Sequence, residues 1–212
     1  QVRWCRTTDL LEQKEGQITA ADMMAILRDH GSKAEDDPEW KPDGGLGGTV
    51  CAHASWGPLR RAGQTTGSWI TEFRDTGVFK PVFFGPGWGE VTLPDFGPMP
   101  TGEFNEDALW WRHEQLHRAV LLDYVPRLNA YVEDRVALEA QFQDEVAKFI
   151  IGSASPQDAG ILAERCWTAA SNAEEKWLEK VKNLPPRRTG RPSALHRRHW
   201  NGLNRAAGLS TF

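Results

Sequence analysis

Apolar residues recur at helical spacing near the start of the chain, and the pattern predicts helices over residues 5–14 and 19–29. In the second, Met23, Met24, Ile26 and Leu27 form the apolar face, and Thr19 stands as N-cap with Asp22 three residues on. The periodicity then stops. Residues 31–48 hold Glu35-Asp36-Asp37-Pro38 and Gly44-Gly45-Leu46-Gly47-Gly48, which predicts an exposed loop. Over 49–84 the residues become β-type, and short strands are predicted at 49–53, 65–73 and 79–84, divided by Gly and Pro. A Gly- and Pro-rich stretch over 85–102 predicts surface loop. Helical spacing returns over 105–148 through Leu109, Trp110, Leu116, Val120, Leu121, Tyr124, Leu128, Tyr131 and Val132, with Pro126 expected to kink or divide it. A last helix is predicted from Pro156, a favoured first-turn residue, to Lys182, stopping at Pro185-Pro186. Beyond Glu179 there is no acidic residue and the apolar positions are scattered, so mixed order is expected there. The chain divides accordingly into one unit over 1–184 and a basic tail over 185–212.

Composition adds limits to this outline. With 212 residues, 40% of them hydrophobic, the chain can bury a core of its own and fits one domain with an appendage. A net charge of -4 gives no general attraction to nucleic acid or to acidic membranes. No apolar run reaches the roughly 18 residues of a membrane span, and Gln1-Val2-Arg3-Trp4-Cys5 lacks the pattern of a signal peptide. Cys5, Cys51 and Cys166 are odd in number and widely spaced, which suggests neither a disulfide framework nor a CxxC metal site. These features fit a soluble, cytoplasmic chain. Ten tryptophans, several beside Gly or Pro, are expected to cover loops and fill the core.

Three groups of residues bear on chemistry. His113-Glu114-Gln115-Leu116-His117 matches HExxH on a helix, the arrangement in which two histidines face one zinc ion and the glutamate activates its bound water. Glu133 or Glu139 would be the third ligand. Arg118 places a cation beside His117, and Trp110 and Trp111 mark the helix as a packing element, so an amphipathic helix with no metal is the expectation. Cys51 lies two residues before His53, and an imidazole lowers a thiol pKa. On a strand those two side chains stand side by side without a third group to orient the ring, and a buried cysteine is the better reading. In the tail, Arg187, Arg188, Arg191, Arg197, Arg198 and Arg205 suit an acidic partner face better than nucleic acid, since no nucleic-acid motif accompanies them.

Several blocks in succession carry a resemblance. Ile26-Leu27-Arg28-Asp29-His30, then Thr49-Val50-Cys51-Ala52-His53, then Thr65-Thr66-Gly67-Ser68-Trp69-Ile70, then Phe79-Lys80-Pro81-Val82-Phe83-Phe84, then the helix from Ala108 to Leu121 follow one another over roughly residues 10–150. In this order they resemble the C-terminal half of the secernin and dipeptidase A family of cysteine N-terminal-nucleophile hydrolases. The resemblance implies an α+β fold, part of an αββα sandwich with long C-terminal helices. It also implies a cysteine at the start of the mature chain whose own α-amino group acts as base. Gln1 occupies the first position here, and its amide is not a nucleophile. The stretch between Thr71 and Phe79 is also shorter than the family's approach to its Phe-Lys-Pro block.

The expectation is therefore a subunit or fragment of a cysteine amidohydrolase acting on small amides or dipeptides, without cofactor, whose nucleophile comes from a separate N-terminal segment. A non-catalytic secernin-like interaction protein is the alternative, and a zinc hydrolase using HExxH a third. By the same resemblance Thr65, Thr66 and Ser68 form a pocket wall, joined by His53 and Arg28. Hydroxyls pairing across a sheet edge would explain the first three equally well. Three short strands cannot close two sheets, which implies an oligomer with the N-terminal segment or subunit of the same precursor, the arginine-rich tail lying on that partner.

Overall fold

A computed structural model of the chain describes residues 2–31, 37–41, 50–51, 70–73, 79–82, 97–151, 156–185, 187 and 191–209. Local sequence sets its elements visibly. Thr19 Oγ1 accepts from the Asp22 amide at 3.2 Å while the Asp22 carboxylate accepts from the Thr19 amide at 2.9 Å, a reciprocal cap that starts α2 (Ala20–Leu27). Helix α1 (Val2–Glu12) precedes it and lies against it. The long helical run predicted over 105–148 is three helices: α3 (Leu109–Val120), α4 (Tyr124–Asn129) and α5 (Val132–Ile151). Pro126 causes neither break. It sits in the first turn of α4, where a missing amide proton leaves no intrahelical bond unmade. Helix α6 runs Pro156–Lys182, as its first-turn proline and following prolines predict.

The main core forms where α3, α4 and α6 meet. Leu116, Ala119, Val120, Tyr124, Val125, Tyr131 and Val181 are buried together, with Trp40 and Trp177 packed on their edge. Arg127 is buried among them and donates to the Ala119 carbonyl at 2.7 Å and the Leu184 carbonyl at 3.1 Å. One guanidinium thus satisfies carbonyls near the end of α3 and just beyond α6, positions that helices leave without intrahelical partners.

The C-terminal stretch is better ordered than its composition predicts. Ser193 caps α7 (Ala194–Ala206) by accepting from the His196 amide, and His196, Trp200 and Asn204 line one buried face at i, i+4 spacing. The Phe104 amide donates to the Ala207 carbonyl at 2.7 Å, and Trp200 meets Leu121. Arg187 closes the join: its backbone amide and guanidinium donate to Asp123, which is 1% exposed, at 2.9–3.1 Å.

The αββα sandwich and its α+β class are overturned. Among the described residues there are seven helices and a single antiparallel pair, β1 (Ile70–Phe73) and β2 (Phe79–Val82), in register from Ile70 opposite Val82 to Phe73 opposite Phe79. Four-residue strands cannot bury two sheet faces, and the core is made between helices instead. Val50 and Cys51, read as the start of a strand, form a bend. Their backbone groups are taken by Arg3 Nε, which donates to the Val50 carbonyl at 3.0 Å, and by the Asp29 carbonyl, which accepts from the Cys51 amide at 3.0 Å. The predicted strand residues 49, 52, 53, 65–69, 83 and 84 lie outside the described residues. No helix among the described residues is long and apolar enough to cross a membrane.

Candidate functional site

Helix α2 ends in Arg28-Asp29-His30, and this turn gathers residues from distant parts of the chain. Gly31 follows at φ 97°, a left-handed conformation that glycine adopts without Cβ strain, and its amide donates to Asp29 Oδ1 at 3.1 Å. Arg6 of α1 grips the same carboxylate with both ends of its fork, Nε to Oδ1 at 3.1 Å and Nη2 to Oδ2 at 2.7 Å. Burial alone would raise the Asp29 pKa. The hydrogen bonds from Arg6 and Gly31 outweigh it and hold the carboxyl below its usual range.

His30 turns inward against aromatic rings. Its centroid is 5.8 Å from Trp40 and 5.5 Å from Tyr124, whose hydroxyl is 3.2 Å from His30 Nδ1. Burial, reinforced by the charges of His117 and Arg135, brings the His30 pKa down to about 4 against the pull of Asp29, so the ring is neutral at pH 7. Asp29 also takes the Cys51 amide on its backbone carbonyl. Two of the sequence blocks meet at this turn, Arg28-Asp29-His30 and the Val50-Cys51 pair, and Tyr124 of α4 joins them from outside the blocks.

Beside the turn lies a cavity of about 780 Å³ between α1 and α2 on one side and α4 and α5 on the other. Leu10, Met24, Val125, Leu128 and Val132 give it an apolar lining. Arg28 spans from α2 to α5, donating to Glu139 through Nη1 at 2.7 Å and Nη2 at 2.6 Å. Arg28 therefore pairs across the chain rather than with Asp22 or Asp29 on its own helix.

The HExxH residues lie in a second cluster, on α3. His113 Nδ1 meets Glu174 of α6. His117 Nδ1 lies 3.1 Å from Glu114 Oε2, and Arg118 Nε donates to Glu114 Oε1 at 2.8 Å. Arg118 also donates to Asn204 of α7 at 2.8 Å, with its guanidinium 5.2 Å from the Trp111 ring centre and 5.3 Å from that of Trp200. Burial pushes the Glu114 carboxyl up, but His117 and Arg118 outweigh it and keep it ionised. Each oxygen of Glu114 thus has a partner within the protein, and the two histidines address different carboxylates. Among the described residues no three or more His, Cys, Asp or Glu side chains are grouped to hold a metal ion. Glu139, a possible third ligand by sequence, is committed to Arg28, and Glu133 is exposed.

The cysteines are scattered. Cys5 is exposed on α1, Cys51 is buried at the turn, and Cys166 is buried on α6. Burial pushes the Cys166 thiol up to about 11, with Glu145 adding to the rise, so it keeps its proton at pH 7 and is a poor nucleophile. The predicted pocket residues His53, Thr65, Thr66 and Ser68 lie outside the described residues. Sequence reasoning gave no site role to Arg6, Trp40 or Tyr124 and considered Glu139 only as a zinc ligand; these residues meet Arg28, Asp29 and His30 through tertiary contacts. A tryptophan in the otherwise polar run 35–41 was the one local sign of buried structure there. Neither family models, nor curated proteins, nor solved structures give any match to this chain.

Proposed function

We propose that this chain is part of a cysteine amidohydrolase acting on small amides or dipeptides, with the attacking thiolate supplied by a segment beyond these residues. The observation that carries the reading is the meeting of two family-like blocks, Arg28-Asp29-His30 and Val50-Cys51, at Asp29, next to a cavity of ligand size. Residues from α1, α2, the Val50-Cys51 bend and α4 hold that turn in one geometry, and such rigid support is what an acyl-transfer site needs from its surroundings. In this reading the chain's own residues position and enclose. The thiolate attacks the substrate carbonyl, the amine leaves with a proton, and water releases the acyl group.

The test is to express the complete reading frame, assay a panel of dipeptides for release of free amino acids, and label the protein with iodoacetamide. The expected result is hydrolysis that labelling abolishes, with the reacted cysteine mapping outside residues 1–212. Absence of hydrolysis would favour a non-catalytic interaction protein. Loss of activity that tracks labelling of Cys5, Cys51 or Cys166 would place the nucleophile in this chain and overturn the assignment.

A further inference from the structure

The cavity between the two helix pairs has a charge pattern of its own. Among the described residues three carboxylates line it, and each has a cation: Asp22 has Lys14 at 3.3 Å, Asp29 has Arg6 at 2.7 Å, and Glu139 has Arg28 at 2.6 Å. Arg135 is left over. It stands on α5 one turn before Glu139, its Nε is 3.9 Å from the carboxylate oxygen that Arg28 already holds, and that buried Nε makes no hydrogen bond among the described residues. The neutral ring of His30 does not change the balance. Among the described residues one cation in excess therefore faces a mostly apolar cavity, and Arg28 reaches across it to the carboxylate that Arg135 also approaches.

Burying a guanidinium donor without a partner is unfavourable, and one carboxylate cannot give two arginines full bidentate geometry. A second carboxylate would complete the set. An apolar body attached to it would cover Leu10, Leu128 and Val132, which are only half-buried where they line the cavity. The geometry points to a binding site for a small carboxylate with an apolar body, its carboxylate on Arg135 and Arg28 and its body between α2 and α5. Free amino acids or dipeptides with an apolar side chain and short fatty acids share this chemistry. The site does not rest on the amidohydrolase reading, because occupancy is read without turnover.

The variants expected to report it have opposite signs. Glu139 is the ligand's competitor, so Glu139→Gln frees Arg28 and Arg135 and tightens binding, while Arg135→Gln removes the excess cation and weakens it. Titration calorimetry with 3-phenylpropanoate as probe is expected to show affinity about tenfold lower for Arg135→Gln and several-fold higher for Glu139→Gln. The neutral 3-phenylpropanamide should bind far more weakly than the acid and respond to neither substitution. Parallel titrations with glycyl-phenylalanine and with octanoate assign the natural source to whichever binds more tightly. Equal binding of the acid and its amide, no binding of any carboxylate to the wild type, or weaker binding by Glu139→Gln would each overturn the site. A general loss of structure cannot imitate the expected pattern, since it lowers affinity in both variants.

Discussion

Two arginine–carboxylate pairs in this molecule look alike in distance and differ in setting. Arg118 and Glu114 are both 8% exposed, locked between the rings of Trp111 and Trp200 and tied to Asn204, so that α3 and α7 close over them. Arg28 and Glu139 are 38% and 22% exposed and bridge an open cavity between helices that otherwise touch little. Water reaches the second pair and can replace either partner. It cannot reach the first, where loss of one partner leaves a charge stranded in the core. Hydrogen bonds of 2.6–2.8 Å therefore mark a structural pair in one place and an exchangeable one in the other.

The largest effect should come from breaking the buried network on one side. Arg118→Met leaves Glu114 with His117 alone and the Asn204 amide oxygen without its donor, and the expected loss is about 3 kcal/mol of stability by urea unfolding. Asp123→Asn is next. Asp123 accepts three hydrogen bonds from Arg187 where the tail joins the core, and its neutralisation should cost about 2 kcal/mol and increase amide hydrogen exchange in α7.

Acid sharpens the contrast through His30. Its pKa is about 4 in the folded chain and 6.5 as a free group, so between those values the unfolded chain binds more protons and stability falls as pH falls. Over that window His30 accounts for a loss of up to about 3 kcal/mol. Asp29 and Glu114 have depressed pKa values, so their contributions begin to fall as pH drops through the ordinary values of 3.8 and 4.5 and are gone once it has passed the lower folded values. His30→Gln should flatten the decline in urea midpoint between pH 6.5 and 4, and an unchanged slope would show that another group titrates there. At the small end stands the exposed i, i+4 pair of Lys148 and Asp144. Lys148→Ala should leave the thermal midpoint unchanged within error.

The contrast also shows what a sequence states locally and what it does not. Thr19 and Asp22 specify the start of α2, and Pro156 with Pro185-Pro186 brackets α6, because caps and prolines act on their own turn. Helix α7 was missed because its buried face is His196, Trp200 and Asn204, an aromatic and two polar groups that satisfy partners elsewhere rather than an aliphatic stripe. The sandwich was wrong for a related reason. β-Type residues such as Val50 and Cys51 favour extended backbone only while a neighbouring strand accepts their hydrogen bonds, and here Arg3 and Asp29 take them. HExxH spacing put His113 and His117 on one helix correctly, but only tertiary structure shows Glu174, Arg118 and the tryptophans around them. Of the ion pair that bridges the cavity, sequence offered Arg28 for a pocket and Glu139 only for a zinc site, because 111 residues separate them.

Burial, not bond length, separates the structural pair from the exchangeable one. A double-mutant cycle on each pair, Glu114→Gln with Arg118→Met and Glu139→Gln with Arg28→Met, tests it by urea unfolding at pH 7 without ligand. A coupling of about 2–3 kcal/mol is expected for the first pair and one below about 1 kcal/mol for the second. Equal couplings, or a larger one across the cavity, would contradict it.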